Sequence, residues 1–200
     1  MPVKPLVAAK SRLRGAVPDA RHADLALAMV RDTAAAVLAC AAVGELIVVT
    51  DDPEVARAVT GARVWAVPDR PGAGLNAALR YGASLARPGR PRALLAGDLP
   101  ALRPAELAEA LAGVRRRGFV PDAEGSGTVL LAAQPGVPLD PRFGVGSAAA
   151  HAASGATALD GYWPGLRHDV DTAADLGDVL ALGVGPATFA LLRDIGCAAA

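Results

Sequence analysis

Apolar residues along this chain recur in two rhythms. Between residues 21 and 41, Leu25, Leu27, Met29, Val30, Ala34, Val37 and Leu38 sample both apolar faces of a helix around Arg31 and Asp32. This is the pattern of a helix packed on two sides. Glu45 to Thr50 is a β-branched run that stops at Asp51-Asp52-Pro53, a strand closed by a turn. A short helix over 53–60 and a strand over 62–67 follow. Strand, helix, strand at this spacing is a βαβ unit and predicts a parallel sheet with right-handed crossovers. After a Gly/Pro-rich loop at 68–76, residues 77–82 read as a helix, 93–96 as a buried strand and 103–112 as a helix with Pro104 in its first turn. Val129 to Ala133 is a further strand, Ser147 begins an Ala-rich helix, and a strand end over 166–170 leads into a last helix. The whole reads as one α/β domain over 1–200: a mostly parallel mixed sheet sandwiched by helices.

The first residues fit that scheme least. Residues 2–13 carry two prolines and three cations but only a stub of a strand, so either the first strand is very short or the chain starts upstream. Lys4, Lys10 and Arg12 could cradle phosphates, whose oxygens match ammonium and guanidinium donors. A solvated edge explains three cations equally simply, and the residues alone favour it.

Composition narrows the function classes. Lys plus Arg and Asp plus Glu are each 20, so no global field draws in nucleic acid or an anionic membrane. No apolar run reaches about 18 residues, and the N-terminus lacks the basic-then-apolar pattern of a signal peptide. Cys40 and Cys197 lie far apart and read as free thiols of a cytoplasmic protein. A Walker loop, a Gly-x-Ser-x-Gly elbow and a Cys/His cluster are all missing, which argues against P-loop NTPases, α/β-hydrolases and zinc sites.

Candidate chemistry sits at the strand ends. The strand at 93–96 breaks at Gly97-Asp98-Leu99-Pro100, where Pro100 stops the ladder and leaves Asp98 at the rim of the sheet. Asp169 and Asp171, two apart on an extended segment, share a face. With Asp98 they form a candidate metal site, since Mg²⁺ takes one or two carboxylates plus substrate phosphates; helix capping is the alternative for Asp-x-Asp-Thr. Gly74 and Asn76 open a helix, where close backbone approach to a ligand or simple capping would suit them. Gly125-Ser126-Gly127-Thr128 is either a small-anion nest or a hairpin turn. Gly144, Gly146 and Ser147 repeat the theme at another helix start, with Ser147 a possible N-cap and His151 a possible surface histidine. The loops at 68–76, 97–100, 125–128 and 169–172 are expected to gather on one edge of the sheet.

Six ordered segments make a resemblance specific: residues 2–13, Gly74 to Leu79, Gly97 to Leu102, Gly125 to Thr128, Arg142 to His151 and Asp169 to Leu176. Together the chain resembles the phosphoenolpyruvate / 2-phospho-L-lactate guanylyltransferase family of coenzyme F-420 biosynthesis. The Trp163-Pro164-Gly165-Leu166-Arg167 approach and the Ala/Arg-rich composition look most like its actinobacterial branch, whose acceptor is phosphoenolpyruvate. The resemblance implies a nucleotide-diphospho-sugar transferase-like, Rossmann-like fold with Mg²⁺ and GTP at the strand ends. It implies Asp98 and Asp171 as catalytic metal ligands, with Asp169 a further candidate. Thr128, Gly144, Ser147 and Lys4 would contact phosphoenolpyruvate; Lys10, Arg12, Asn76 and Gly74 would meet the nucleotide. The product would pass to a downstream transferase. The chain departs from the family in its truncated first strand, which bears on Lys4, and in Ala173 where the family has proline, so a looser turn is expected after Asp171. Use of 2-phospho-L-lactate or 3-phosphoglycerate, another nucleotidyl transfer (to a molybdopterin or sugar acceptor), and binding without turnover are the competing readings.

Overall fold

The computed structural model of the chain describes residues 1–6, 13 and 17–197. In chain order its elements are α1 (His22–Ala39), β1 (Leu46–Val49), α2 (Pro53–Val59), β2 (Val64–Val67), α3 (Leu75–Leu85), β3 (Arg92–Leu95) and α4 (Pro104–Ala112). They continue with β4 (Arg117–Pro121), β5 (Thr128–Ala133), α5 (Ser147–Ala153), β6 (Thr157–Ala158), α6 (Pro164–Arg167), α7 (Ala173–Leu182) and α8 (Pro186–Asp194).

The βαβ unit read from the sequence is present: β1 and β2 pair in parallel, Leu46 opposite Val64 through Val49 opposite Val67. The remaining strands form a second sheet in the order β3-β5-β4-β6. The N-terminal stub joins the two. Val49 N–H donates to Met1 O and Val3 N–H to Val49 O, both at 2.9 Å, so residues 1–3 lie beside β1. On its other side the stub meets the end of β3: a Cβ on Gly97 would stand 3.1 Å from Pro2 O. A very short first strand is therefore enough to bridge the sheets.

The sheet is mixed, but β5 departs from the parallel expectation by running antiparallel to both β3 and β4. The cause is local. Residues 122–127 connect β4 to β5 in a hairpin, and a parallel pair needs a crossover of a dozen or more residues. The reversal also places the start of β5 at the sheet edge where β3 and β4 end, with Leu95 opposite Leu130 and Pro121 opposite Thr128. A second difference lies in residues 164–171. Instead of a strand end, Pro164–Arg167 is a helical turn whose Gly165 and Leu166 N–H groups donate to the Glu106 carboxylate. Residues 168–171 then run outside any regular element.

The two faces read for α1 are both used. Ala26, Val30, Ala34 and Val37 pack into the main core with Val48, Val55, Leu95 and Leu130. Leu25 and Met29 face a second cluster with Leu176, Val179 and Leu192 of α7 and α8. The period-two alternation of the strands sends Leu94, Phe119 and Leu131 to the opposite side of the sheet, against Leu79 of α3 and Ala148 of α5. Asp32, the acid in the middle of α1, is buried because its carboxylate accepts the N–H groups of Ala187 (2.9 Å) and Thr188 (2.7 Å), capping α8. Asp52 caps α2 in the same way and also accepts Leu6 N–H at 2.9 Å. That Leu6 bond, first among its partners, holds the Asp52 carboxyl below its usual range. Among the described residues no single helix is long and apolar enough to cross a membrane.

Candidate active site

A cavity of about 830 Å³ opens at the edge where β3 and β4 end and β5 begins. Its lining includes Lys4, Asp98, Thr128, Gly144, Ser147, Asp169 and Asp171, so seven of the residues singled out in the sequence share one space.

The acidic wall is built by backbone ties. Just past β3, Leu99 N–H donates to the Thr33 hydroxyl at 3.0 Å, while that hydroxyl donates to Met29 O of α1 at 2.8 Å. This fixes the backbone next to Asp98. Val170 N–H then donates to Asp98 O at 3.1 Å, which brings Asp169 and Asp171 beside Asp98. Val170 is fully buried between the two aspartates, the in-and-out alternation expected of an extended segment. Arg167 hooks the segment from the other end, donating to Asp122 O while its own carbonyl accepts Ala123 N–H. Thr172 and Asp175 cap α7: Thr172 N–H donates to the Asp175 carboxylate at 2.7 Å and Asp175 N–H to the Thr172 hydroxyl. This reciprocal box closes the turn after Asp171 without the proline, so the looser turn expected there is not formed.

The start of β5 and the approach to α5 add neutral donors to the lining, beside Asp122 and Glu124 of the turn before β5. Thr128 stands at the first position of β5, and Gly144, Val145, Gly146 and Ser147 lead into α5. Gly144 and Gly146 have φ of 131° and 69°, backbone conformations that favour glycine. Among the described residues the N–H groups of Gly144, Val145 and Gly146 have no protein acceptor, whereas Ser147 N–H donates to Gly144 O and Ala148 N–H to Ser126 O. Ser147 is the buried first residue of α5 rather than its cap, which is Gly146.

The neighbouring glycine turn behaves otherwise. Asp122 fills it: its carboxylate accepts Ser126 N–H (2.9 Å) and Gly127 N–H (2.7 Å), and its carbonyl accepts Gly125 N–H. The nest drawn from Gly125-Ser126-Gly127 thus holds an anion of the protein's own, and the hairpin reading describes this turn. Asn76 is also redirected. It lies in the first turn of α3, and its side-chain amide pairs with the Phe143 backbone in both directions, Nδ2 to O at 2.9 Å and N–H to Oδ1 at 2.8 Å. It anchors the 143–147 loop and neither caps α3 nor lines the cavity. Gly74 is the N-cap of α3, with φ 89°, directly before Leu75 at the cavity. Lys4 is exposed at the cavity; Lys10 and Arg12 lie outside the described residues.

His151 differs most from its expected surface place: it is fully buried. Its ring packs against Phe143 edge-on, with centroids 5.1 Å apart, and against Phe119 at 5.7 Å. Nε2 accepts Arg142 N–H at 2.9 Å, and Nδ1 lies 2.9 Å from the Thr128 hydroxyl oxygen. Burial first, then the Arg117 and Arg142 charges, push this imidazole below its ordinary pKa against the opposing pull of Asp140 and the Ser147 backbone. Of the supports that sequence reasoning missed (Thr33, Glu106, Asp122 and His151), only His151 carried a local signal, its place one turn beyond Ser147.

Three aspartates on one wall offer hard oxygen donors only, the chemistry that suits Mg²⁺. Among the described residues no three His, Cys, Asp or Glu side chains converge into a cage by themselves. Mg²⁺ asks for less than that, since one or two carboxylates suffice when phosphates complete the shell. The donor set of Asp98 and Asp171, with Asp169 next to them, fits that demand.

The MobA-like NTP transferase domain family matches this chain over residues 21–158. A phosphoenolpyruvate guanylyltransferase of Salinispora arenicola is 61% identical, covering 96% of this chain and 91% of that protein. Proteins of the same description from Thermomonospora curvata and Streptomyces coelicolor are 54% and 51% identical, each over 96% of this chain and over 86% and 93% of their own length. Among solved structures, a chain from Desulfovibrio desulfuricans G20, provisionally assigned as a nucleotide-diphospho-sugar transferase, superposes with a TM-score of 0.68 at 18% identity. That match covers 96% of this chain and 92% of the other, and it shows the fold alone.

Proposed function

Since the chain belongs to the MobA-like NTP transferase family and, within it, to the phosphoenolpyruvate guanylyltransferases, we propose that it transfers GMP from GTP to phosphoenolpyruvate. The products are enolpyruvyl-diphosphoguanosine and pyrophosphate, and the first would pass to a downstream transferase in coenzyme F-420 biosynthesis. The observation that carries this reading is the shared cavity, which brings Asp98, Asp169 and Asp171 from two tied loops together with Thr128 and the glycine-rich start of α5.

In this reading a phosphate oxygen of phosphoenolpyruvate attacks the α-phosphorus of GTP in line and pyrophosphate departs. The attacking group is already an anion, so no side chain has to remove a proton. The protein's work is to align two anions and offset their repulsion. Thr128, Gly144 and Ser147 would hold the acceptor's oxygens with neutral donors, and Lys4 would add a cation at the rim. Lys10, Arg12 and the 68–76 loop with Gly74 would receive the nucleotide, while Asn76 acts indirectly by fixing the loop at Phe143. Asp98 and Asp171, with Asp169 adjoining, would hold Mg²⁺, which when bound supplies charge neutralisation for the phosphates.

The test is pyrophosphate release from GTP, measured with phosphoenolpyruvate, 2-phospho-L-lactate and 3-phosphoglycerate in turn. Release that depends on phosphoenolpyruvate is expected; a preference for either of the others would overturn the acceptor assignment. Asp98→Asn should keep its circular dichroism spectrum and lose turnover by about a hundredfold or more. A folded Asp98→Asn protein working at the unaltered rate would remove Asp98 from the mechanism.

A further inference from the structure

We propose that His151 is a positioning residue for the acceptor site: its Nδ1–H donates to the Thr128 hydroxyl oxygen and so turns the Thr128 hydrogen toward the bound anion. The inference rests on the reading of Thr128 as an acceptor contact and adds what makes that hydroxyl a donor.

The tautomer follows from one backbone group. Arg142 N–H can only donate, and it stands 2.9 Å from Nε2. Nε2 therefore presents its lone pair, and the neutral ring carries its hydrogen on Nδ1. Thr128 Oγ1, 2.9 Å from Nδ1, is then the acceptor of that bond. A hydroxyl has one hydrogen and two acceptor positions. With one lone pair engaged from below, its hydrogen is directed elsewhere. Among the described residues the Thr128 hydroxyl has no other partner, and Thr128 lines the cavity.

The opposite tautomer would reverse the site. Nε2–H would meet Arg142 N–H donor to donor, and Thr128 would point its hydrogen into the ring and its lone pairs at an incoming phosphate or carboxylate. Phe119 and Phe143 hold the ring in its plane, and Asn76 holds Phe143 through its backbone. A line of support thus runs from α3 through the 143–147 loop to the imidazole and ends at one hydroxyl hydrogen. In sequence these parts are scattered; Thr128 and His151 alone are 23 residues apart.

Two substitutions separate orientation from support. The amide of His151→Gln reaches the Nε2 position and can still accept Arg142 N–H, but it leaves Thr128 without its donor. The shorter amide of His151→Asn reaches the Nδ1 position and can donate to Thr128, while Arg142 N–H loses its acceptor. In steady-state pyrophosphate release on the full-length chain, His151→Gln is expected to raise KM for phosphoenolpyruvate about ten- to a hundredfold with KM for GTP little changed. His151→Asn should recover most of that loss. Thr128→Val should raise the same KM, and adding His151→Gln to it should cost little more, because both remove one hydrogen bond. A purely supporting histidine would give the reverse order of Gln and Asn and additive effects with Thr128→Val; either result overturns the proposal.

An independent readout is the ¹⁵N spectrum of the labelled histidine side chains, where Nδ1 protonated and Nε2 bare is expected for His151. Nε2 protonated would overturn the inference whatever the substrate. If the unaltered chain releases no pyrophosphate with phosphoenolpyruvate, the functional reading falls. The positioning role is then judged on phosphoenolpyruvate binding by calorimetry: weakening in His151→Gln and recovery in His151→Asn support it, and equal binding in all three sinks it.

Discussion

The turn at 122–128 and the loop at 142–147 adjoin at the cavity, where Ala148 N–H reaches Ser126 O, and both are glycine-rich approaches to a regular element. In the first, the Ser126 and Gly127 amides close on the carboxylate of Asp122. In the second, Arg142 N–H and Phe143 N–H are taken by His151 and Asn76, side chains from two different helices, and the next three amides have no protein acceptor among the described residues. One turn has its Ser126 and Gly127 amides taken by its own carboxylate, with Arg167 adding a tie at Asp122 and Ala123. The other is held from outside and keeps its donors for something else. Of the two, the 142–147 loop has the successive backbone donors that an incoming anion could take.

The contrast can be broken from either side. Gly144→Val should have the largest effect. A Cβ there meets no neighbour, but φ of 131° is a backbone conformation that β-branched residues avoid. Strain of about 1–3 kcal/mol would shift the loop and raise KM for the acceptor about ten- to a hundredfold, read in the pyrophosphate assay. Asp122→Asn attacks the self-satisfied turn. An amide cannot accept both N–H groups as the carboxylate does, so a loss of about 1–3 kcal/mol in stability is expected, seen as a lower urea midpoint. If Asp122→Asn left stability alone and changed acceptor KM instead, the two turns would be alike after all.

Asn76→Ala tests the outside support. It removes two hydrogen bonds to Phe143 and should weaken acceptor binding about five- to tenfold, with a loss of about 1 kcal/mol in stability seen as a small fall in melting temperature. A fall in melting temperature with unchanged KM would make Asn76 a structural residue only.

The smallest expected effect is one of pH. His151 has a folded-state pKa below its ordinary value of 6.5, so on acidification the unfolded chain takes up a proton that the folded chain refuses. Its contribution is complete above pH 6.5 and is lost as the pH falls below that value toward the lower folded pKa, with a slope of at most about 1.4 kcal/mol per pH unit. Urea midpoints at pH 7.5 and 5.5 should therefore differ more in the unaltered protein than in His151→Gln. Equal differences would mean that His151 is charged in the folded state, which the Arg142 N–H bond forbids.

Much of this architecture could be read directly from the residues. The double-faced pattern of α1, the βαβ unit and the acid at the end of β3 all rest on local periodicity and punctuation, and each is present. Of the loops expected at one edge, those at 97–100, 125–128 and 169–172 share the cavity, through an antiparallel β5 whose start, not its end, lies there, while the 68–76 loop reaches it only at Leu75. The last aspartates sit where expected, but on a segment led in by the α6 turn and pinned by Glu106, Arg167 and the Val170 to Asp98 bond.

The sequence by itself determined the βαβ unit, the two faces of α1, the family and the residue types at the strand ends, because spacing, turn chemistry and motif order are properties of neighbours along the chain. Tertiary structure alone decided which donors are taken and which are left. Whether the amides of a glycine turn are free depends on Asp122 folding back over them. Whether the Thr128 hydroxyl gives or accepts depends on a ring from α5, a backbone N–H at Arg142 and an asparagine 67 residues before Phe143. Hydrogen-bond direction is fixed by the last partner in such a network, and that partner is brought in by the fold.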